Sequence, residues 1–383
     1  MKKIKVMPIF GTRPDAVKMA PLVKELEKSS EIDTIVCVTA QHRQMLDQVL
    51  DIFDIKPKYD LNIMQDRQTL EQITTRSLEG LSGVFNSVQP DIVLVHGDTS
   101  TCFVAALAAF YHKIPVGHVE AGLRTYDKYS PFPEEMNRKL AGALAEYHFA
   151  PTLTNKSNLL REGISQDKIY VTGNTVIDAL KTTVKQNYIF QSTSLKNIDF
   201  NGKRTITVTA HRRENLGEPL EQICFALNDI AVRYEDINIV YAVHLNPAVR
   251  ETVFRVLGTN PRIHLIDPPD VQDMHNLMAI SYMVMTDSGG LQEESPSLGK
   301  PVLVLRNETE RPEAVTAGTV KLAGTNRDII RTLAFELIDS PEEYKKMSKA
   351  VNPYGDGFAS ERIVNAILYE FNKTKNKPTE FQL

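Results

Sequence analysis

Short apolar runs alternate with amphipathic stretches along almost the whole chain. Residues 3–10 read as a strand and residues 14–28 as a helix, with Met19, Leu22, Val23 and Leu26 spaced to share one face. Thr12 stands where an N-cap belongs, and Pro14 suits the first turn because its missing N–H has no partner to lose there. Strand-like runs follow at 34–39, 91–96, 114–119 and 168–174, the last including a turn. Helical patterns occupy 45–53, 69–88, 102–111 and 156–163 between them, while 61–68 and 127–138 read as loops. A second series opens with a strand at 205–209 and continues with strands at 238–243, 262–266, 282–285 and 301–305. Its helices are expected at 219–234, 275–280 and 360–371, and residues 373–383 read as a loose polar tail. Fully apolar strands alternating with amphipathic helices predict a parallel, doubly wound sheet, here occurring twice.

Length agrees with that doubling, since 383 residues fit two domains. The expected fold class is α/β, two Rossmann-like domains with a central cleft, of the glycosyltransferase-B type. The expected divisions are 1–175, then 176–360 as a second Rossmann-like domain, then a C-terminal helix and tail, 361–383, packing back on the first domain. Hydrophobic residues make up 42% and charged residues 24%, enough for ordinary globular cores. A formal charge of -4 and a pI near 6.2 argue against a nucleic-acid partner. The N-terminus is too briefly apolar for a signal peptide, and no apolar run approaches the ~18 residues that span a bilayer. A cytoplasmic enzyme or binding protein with no membrane partner is expected. Cys37, Cys102 and Cys224 are far apart, odd in number and set in apolar surroundings, so buried thiols are expected.

Polar clusters change the picture from fold to chemistry, because they fall just after the apolar strands: residues 11–18, 41–44, 97–101 and 120–125 in the first series. Doubly wound sheets bind ligands at that end of their strands. In the second series a strand breaks at Thr286-Asp287-Ser288-Gly289-Gly290 and a helix begins at Leu291. Free N–H groups and the positive dipole end then face outward, and two glycines let a diphosphate approach without a Cβ in the way. Glu294 lies about one turn further, where a carboxylate can accept from ribose hydroxyls. The competing reading is a βα turn capped by Ser288. Arg13 and Lys18 are cations near a helix N-terminus, where the dipole disfavours them, so they suggest an anion to be neutralised; solvated surface charge is the alternative. Asp98, Glu120, Glu134 and His211 form the acid/base set. Against it stand a helix-capping role for Asp98, a helix N-terminal charge for Glu120, an ion pair of Glu134 with Arg138, and a phosphate contact for His211. Neither a metal-ligand pattern nor the Gly-x-Gly-x-x-Gly fingerprint is present, so no metal and no NAD are implied.

Seven ordered motifs together resemble one family: GTRPDAVKMAP at 11–21, HGDTS at 96–100, HVEAGLR at 118–124, PEEMNR at 133–138, HRRE at 211–214, DSGGLQEE at 287–294 and ERPE at 310–313. They closely resemble the bacterial non-hydrolysing UDP-N-acetylglucosamine 2-epimerases, with one departure, Asp15, where that family usually has Glu. The resemblance implies interconversion of UDP-N-acetylglucosamine and UDP-N-acetylmannosamine for surface polysaccharides. The proton on sugar carbon 2 is removed as UDP leaves, giving 2-acetamidoglucal, and UDP then adds back with protonation from the other face. By motif position Asp98, Glu120, Glu134 and His211 resemble the catalytic set. Arg13, Ser288, Gly289 and Gly290 resemble the UDP-binding set, with Glu294 at the ribose, Lys18 near the pyrophosphate and Arg311 at the substrate. Gln41, Gln44, Arg67, Gln68, Arg212 and His244 match a second, activating UDP-N-acetylglucosamine site. A homodimer without a cofactor, whose two domains close on ligand, is implied as well.

Overall fold

The computed structural model describes residues 2–41 and 43–382, and within them the chain forms two α/β units. One comprises the residues up to Thr182 together with Tyr354–Gln382; the other is Thr183–Pro353. The strands of the first unit are β1 (Ile4–Phe10), β2 (Ile32–Thr34), β3 (Cys37–Val38), β4 (Tyr59–Asp60), β5 (Ile92–His96), β6 (Val116–Val119), β7 (Tyr147–Ala150) and β8 (Ile169–Val171). They run parallel in the order β4-β3-β1-β5-β6-β7-β8, with β2 also paired to β1. From β1 the chain winds outward through β3 to β4 and then returns to β5 on the other side, so the order reverses between β1 and β5. The expected fold class, α/β with Rossmann-like units, holds in this unit and in the next.

Local chemistry accounts for the first βα turn. The helix Arg13–Lys28 opens on Thr12, whose side chain accepts from the Asp15 N–H at 3.4 Å, and its predicted apolar face is buried throughout. Further on, Thr69 and Gln72 form a capping box that starts the helix Leu70–Val88. Met7, Ile9, Val93 and Val95 from the sheet meet Leu81 and Phe85 from that helix in the core. All three cysteines are buried and free, as expected; burial pushes the thiols of Cys37 and Cys224 up to about 12.

Three expectations need correction. The strand expected at 34–39 is two short pieces, β2 and β3, although both keep one register against β1 (Ile4 opposite Ile32, Ile9 opposite Cys37). Between them the Val36 carbonyl instead accepts from the N–H groups of Lys58 and Tyr59, which seats β4. The loop expected over 127–138 ends early, because the helix Glu134–Leu144 has already begun. The expected loose tail is fastened: the Phe381 N–H bonds to the Val171 carbonyl at 2.8 Å, its ring is buried, and Glu380 pairs with Lys156 at 2.9 Å. The helix Ala359–Glu370 packs against Arg13–Lys28, and the carboxylate of Asp178 accepts from the N–H groups of Ala359 and Ser360 at its start.

The second unit holds β9 (Arg204–Thr209), β10 (Ile237–Ala242), β11 (Ile263–Ile266), β12 (Met283–Thr286), β13 (Val302–Val304) and β14 (Val320–Leu322). Their order is β11-β10-β9-β12-β13-β14, all parallel, and it reverses between β9 and β12. At that reversal the hydroxyls of Thr209 and Thr286 lie 2.6 Å apart, tying the two strand ends together. Helices Pro247–Leu257, Arg327–Asp339 and Pro341–Ser348, absent from the sequence reading, complete the layers.

Candidate active site

In the first unit the predicted polar clusters gather where β1, β5 and β6 end. Glu120 follows β6 in a left-handed conformation (φ +62°), not at a helix start, which removes the helix-charge reading. Its Oε1 takes the Lys18 ammonium and, at 2.8 Å, the Asn174 amide. Lys18 is therefore part of an ion pair with a predicted catalytic carboxylate. Behind Glu120 lies His96, 3% exposed, with Nε2 at 3.6 Å from Glu120 Oε2 and Nδ1 at 3.7 Å from Asp15 Oδ1. Asp15 is buried and accepts from the Thr99 hydroxyl at 3.0 Å. Close approach also dictates Gly11: a Cβ there would sit 1.9 Å from Thr39 Oγ1 and 2.7 Å from Thr101 Oγ1.

Asp98 follows β5, and Arg138 grips its carboxylate with two N–H groups at 2.9 and 2.6 Å. It does not cap the next helix; Thr99 does that, accepting from Cys102 N–H at 3.2 Å. Glu134 heads its helix half-buried, and its expected rival role, a pair with Arg138, is taken by Glu135. Glu135 is fully buried and also accepts from the N–H groups of Thr125 and Tyr126, each at 3.0 Å. One residue along the same turn, a structural carboxylate and a candidate catalytic one thus have separate tasks.

Arg13 is half-buried in the first turn of its helix. Of the expected second-site residues in this unit, Gln41 accepts from the Thr101 hydroxyl at 3.1 Å and Gln68 accepts from Arg76 at 3.3 Å. Gln44 and Arg67 are exposed. No hydrogen bond joins any two of these four among the described residues. His42, within the 41–44 cluster, lies outside the described residues.

In the second unit the organising group is Asp287, to which the sequence motif assigns no role, wholly buried just past β12. Its Oδ2 accepts from the backbone N–H of His211 at 2.6 Å, that of Arg212 at 2.7 Å and the Asn215 amide at 3.0 Å. The His211 ring stacks on that of His244 with centroids 5.1 Å apart and planes 9° apart. Burial holds the His211 imidazolium below its ordinary range; Asp287 opposes this, and His244 and Arg212 add to it. Arg212 also reaches Glu310 at 3.4 Å.

Ser288 occupies the N-cap position of the helix Gly289–Ser297 but makes no side-chain capping bond among the described residues, so the capped-turn reading is not what forms. Neither glycine could carry a Cβ freely, since Glu310 Oε1 lies 3.1 Å from one such position and Glu294 Oε1 3.2 Å from the other. Glu294 also lies 3.2 Å from His275 Nε2, and the Thr183 hydroxyl meets the other ring nitrogen at 2.7 Å. Arg311, buried, pairs with Glu293. Sequence reasoning missed Asp287, His96, Asn174 and His275. For the first three the signal was a polar residue at or just past the end of an apolar strand; His275, in a helix that also carries Gln272, Asp273 and Asn276, gave none.

Two parallel α/β units, each with acidic, cationic and imidazole groups collected at the carboxyl ends of its strands, define a double Rossmann-like α/β protein. A sequence model of the UDP-N-acetylglucosamine 2-epimerase family matches residues 24–368, and the chain belongs to that family. It is 59% identical to the UDP-N-acetylglucosamine 2-epimerase of Bacillus subtilis (strain 168) over 382 residues, covering 100% of this chain and 99% of that protein. Among solved structures, the S. aureus MnaA–UDP co-structure is 54% identical over 100% of both chains, with a TM-score of 0.90. The Neisseria meningitidis UDP-GlcNAc 2-epimerase, solved bound to UDP-GlcNAc, is 51% identical over 95% of this chain and 100% of its own, with a TM-score of 0.86.

Proposed function

We propose that this chain reversibly epimerises UDP-N-acetylglucosamine to UDP-N-acetylmannosamine without hydrolysing either. The observation that carries the reading is the pair of carboxylates after adjacent strands, Asp98 held by Arg138 and Glu120 held by Lys18 and Asn174. A protein base takes the carbon 2 proton while the bond from carbon 1 to the UDP oxygen breaks, leaving 2-acetamidoglucal and UDP. UDP then re-adds at carbon 1 as a proton is delivered to the opposite face of carbon 2. The hydrogen moves as a proton, so the scheme calls for no redox cofactor. Asp98, Glu120, Glu134 and His211 are the acid/base groups, positioned carboxylates and an imidazole being suited to such transfers. Ser288, Gly289 and Gly290 present backbone N–H groups to the diphosphate, Glu294 takes the ribose, and Arg13, Lys18 and Arg311 offset developing negative charge. Gln41, Gln44, Arg67, Gln68, Arg212 and His244 form the second, activating UDP-N-acetylglucosamine site. The active form is a cytoplasmic homodimer supplying N-acetylmannosamine units for surface polysaccharide.

Support comes from family membership over most of the chain and from the relatives solved with UDP and UDP-GlcNAc. The deciding experiment incubates the protein with UDP-N-acetylglucosamine in deuterium oxide. Deuterium at carbon 2 together with UDP-N-acetylmannosamine is expected. Absence of both at saturating substrate overturns the reading, and release of free N-acetylmannosamine assigns a hydrolysing enzyme instead. Asp98→Asn and Glu120→Gln are each expected to lower turnover about 10²-fold or more; rates near those of the unaltered protein would remove them from the chemistry.

A further inference from the structure

We propose that Asp287 is the positioning residue for His211, fixing its ring with Nδ1 protonated toward the carboxylate so that Nε2 is the nitrogen left to exchange protons. This deepens the reading of His211 given above and rests on it. Three features of the same strand-end cluster carry the inference. First, the carboxylate is immobilised: Oδ2 receives the N–H groups of His211 and Arg212 and the amide of Asn215, which also donates to the Leu305 carbonyl at 3.0 Å. Second, Oδ1 of this wholly buried side chain has no hydrogen-bond partner among the described residues, yet it lies 3.5 Å from His211 Nδ1. A buried carboxylate oxygen left without a donor is costly, and the imidazole Nδ1–H is the group placed to supply one. Third, the parallel stack on His244 limits rotation of the His211 ring out of that plane. His244 is itself braced, its Nδ1 accepting from the Asn246 N–H at 3.1 Å.

From the end of β12 the His211 ring faces Asp287, from the end of β10 it faces His244, and from its own turn Arg212. Of these only Asp287 favours the imidazolium, so it alone opposes the loss of basicity that burial, His244 and Arg212 bring about. A carboxylate behind an imidazole does the same two things in hydrolytic triads: it selects the tautomer and steadies the cation that forms when the far nitrogen takes a proton.

Two measurements test this, and the first needs no variant. In protein labelled with ¹⁵N-histidine, the His211 signals, assigned by their loss in His211→Asn, are expected to show the Nδ1–H tautomer when neutral. A dominant Nε2–H tautomer overturns the proposal. The second is Asp287→Asn, whose amide keeps an oxygen for the three donors but removes the charge. The His211 titration is expected to move to lower pH, with kcat down at least about tenfold, the pH–rate limb shifted with it, and KM for UDP-N-acetylglucosamine changed less than about threefold. An unmoved His211 titration in a folded Asp287→Asn protein, or a loss confined to stability with the rate limb in place, reduces Asp287 to a structural tie and overturns the assignment. A shifted titration with an unchanged rate leaves the tautomer but overturns the catalytic reading of His211, so the two failures are separable.

Discussion

Residue by residue, the first βα turn shows how a sequence position can be dictated by neighbours far along the chain. Gly11 is flanked by the hydroxyls of Thr39 and Thr101, which lie 2.9 Å from each other. Gly11→Ala puts a methyl into both and is expected to cost about 1–3 kcal/mol in urea unfolding. Adding Thr39→Ala should return part of that loss, whereas a loss unchanged in the double variant would locate the strain elsewhere. Thr12, Pro14 and the buried face of their helix were legible beforehand because capping and periodicity are local rules. Asp287 and His96 were not, because what makes them important is what folding brings beside them. The same holds for the Glu134–Glu135 pair: adjacent acids look equivalent in sequence, and only Thr125, Tyr126 and Arg138 distinguish the buried one.

At the scale of elements, the ends of helices and strands decide most of the differences between expectation and structure. The helix Leu70–Val88 finishes at Gln89, exposed and left-handed at φ +50°, its N–H bonded to the Phe85 carbonyl. Glycine adopts that conformation without a Cβ penalty, so Gln89→Gly is expected to stabilise the protein by about 0.5–1 kcal/mol. A rise in the urea midpoint with unchanged slope is the check, and a fall would show that the side chain carries an unrecognised contact. The sequence at 373–383 reads as a loose tail because it is polar apart from Phe381 and Leu383, and no periodicity marks an addition to a sheet edge. Yet Phe381 lies against β8, covering a strand edge that would otherwise present unpaired groups. Phe381→Ala is expected to cost about 2–3 kcal/mol, the worth of a buried aromatic side chain. Equal stability with and without the ring would return the tail to a passive role. The split of β2 from β3 has a similar origin, since Val36 spends its carbonyl on β4, a pairing that no window of local sequence contains.

Over the whole molecule, two buried histidines lead us to expect that acid loosens the first unit before the second. His118 on β6 and His148 on β7 are register partners, each 1% exposed. Burial pulls His118 down to about 3, against the opposing pull of its bond to the Gly97 carbonyl, and His148 down to about 4. Arg124, paired with Glu162 at 2.7 Å, faces both and disfavours a second positive charge. In the folded unit both rings therefore stay neutral where an unfolded chain binds a proton near pH 6.5. Their contribution is full above that value and drains as the pH falls toward about 4 and then about 3. The slope reaches about 1.4 kcal/mol per pH unit for each ring. In the second unit, burial also lowers His211 and His264, but both rings keep contact with solvent. Peptide-resolved hydrogen exchange, corrected for intrinsic rates and compared between pH 7 and pH 5, is expected to show β5 to β7 losing protection before β9, β10 and β12. His148→Gln, which takes up no proton, should flatten that loss. Protection that falls first in the second unit, or a His148→Gln protein as acid-sensitive as its parent, would mean that the two buried imidazoles are not what sets the acid limit.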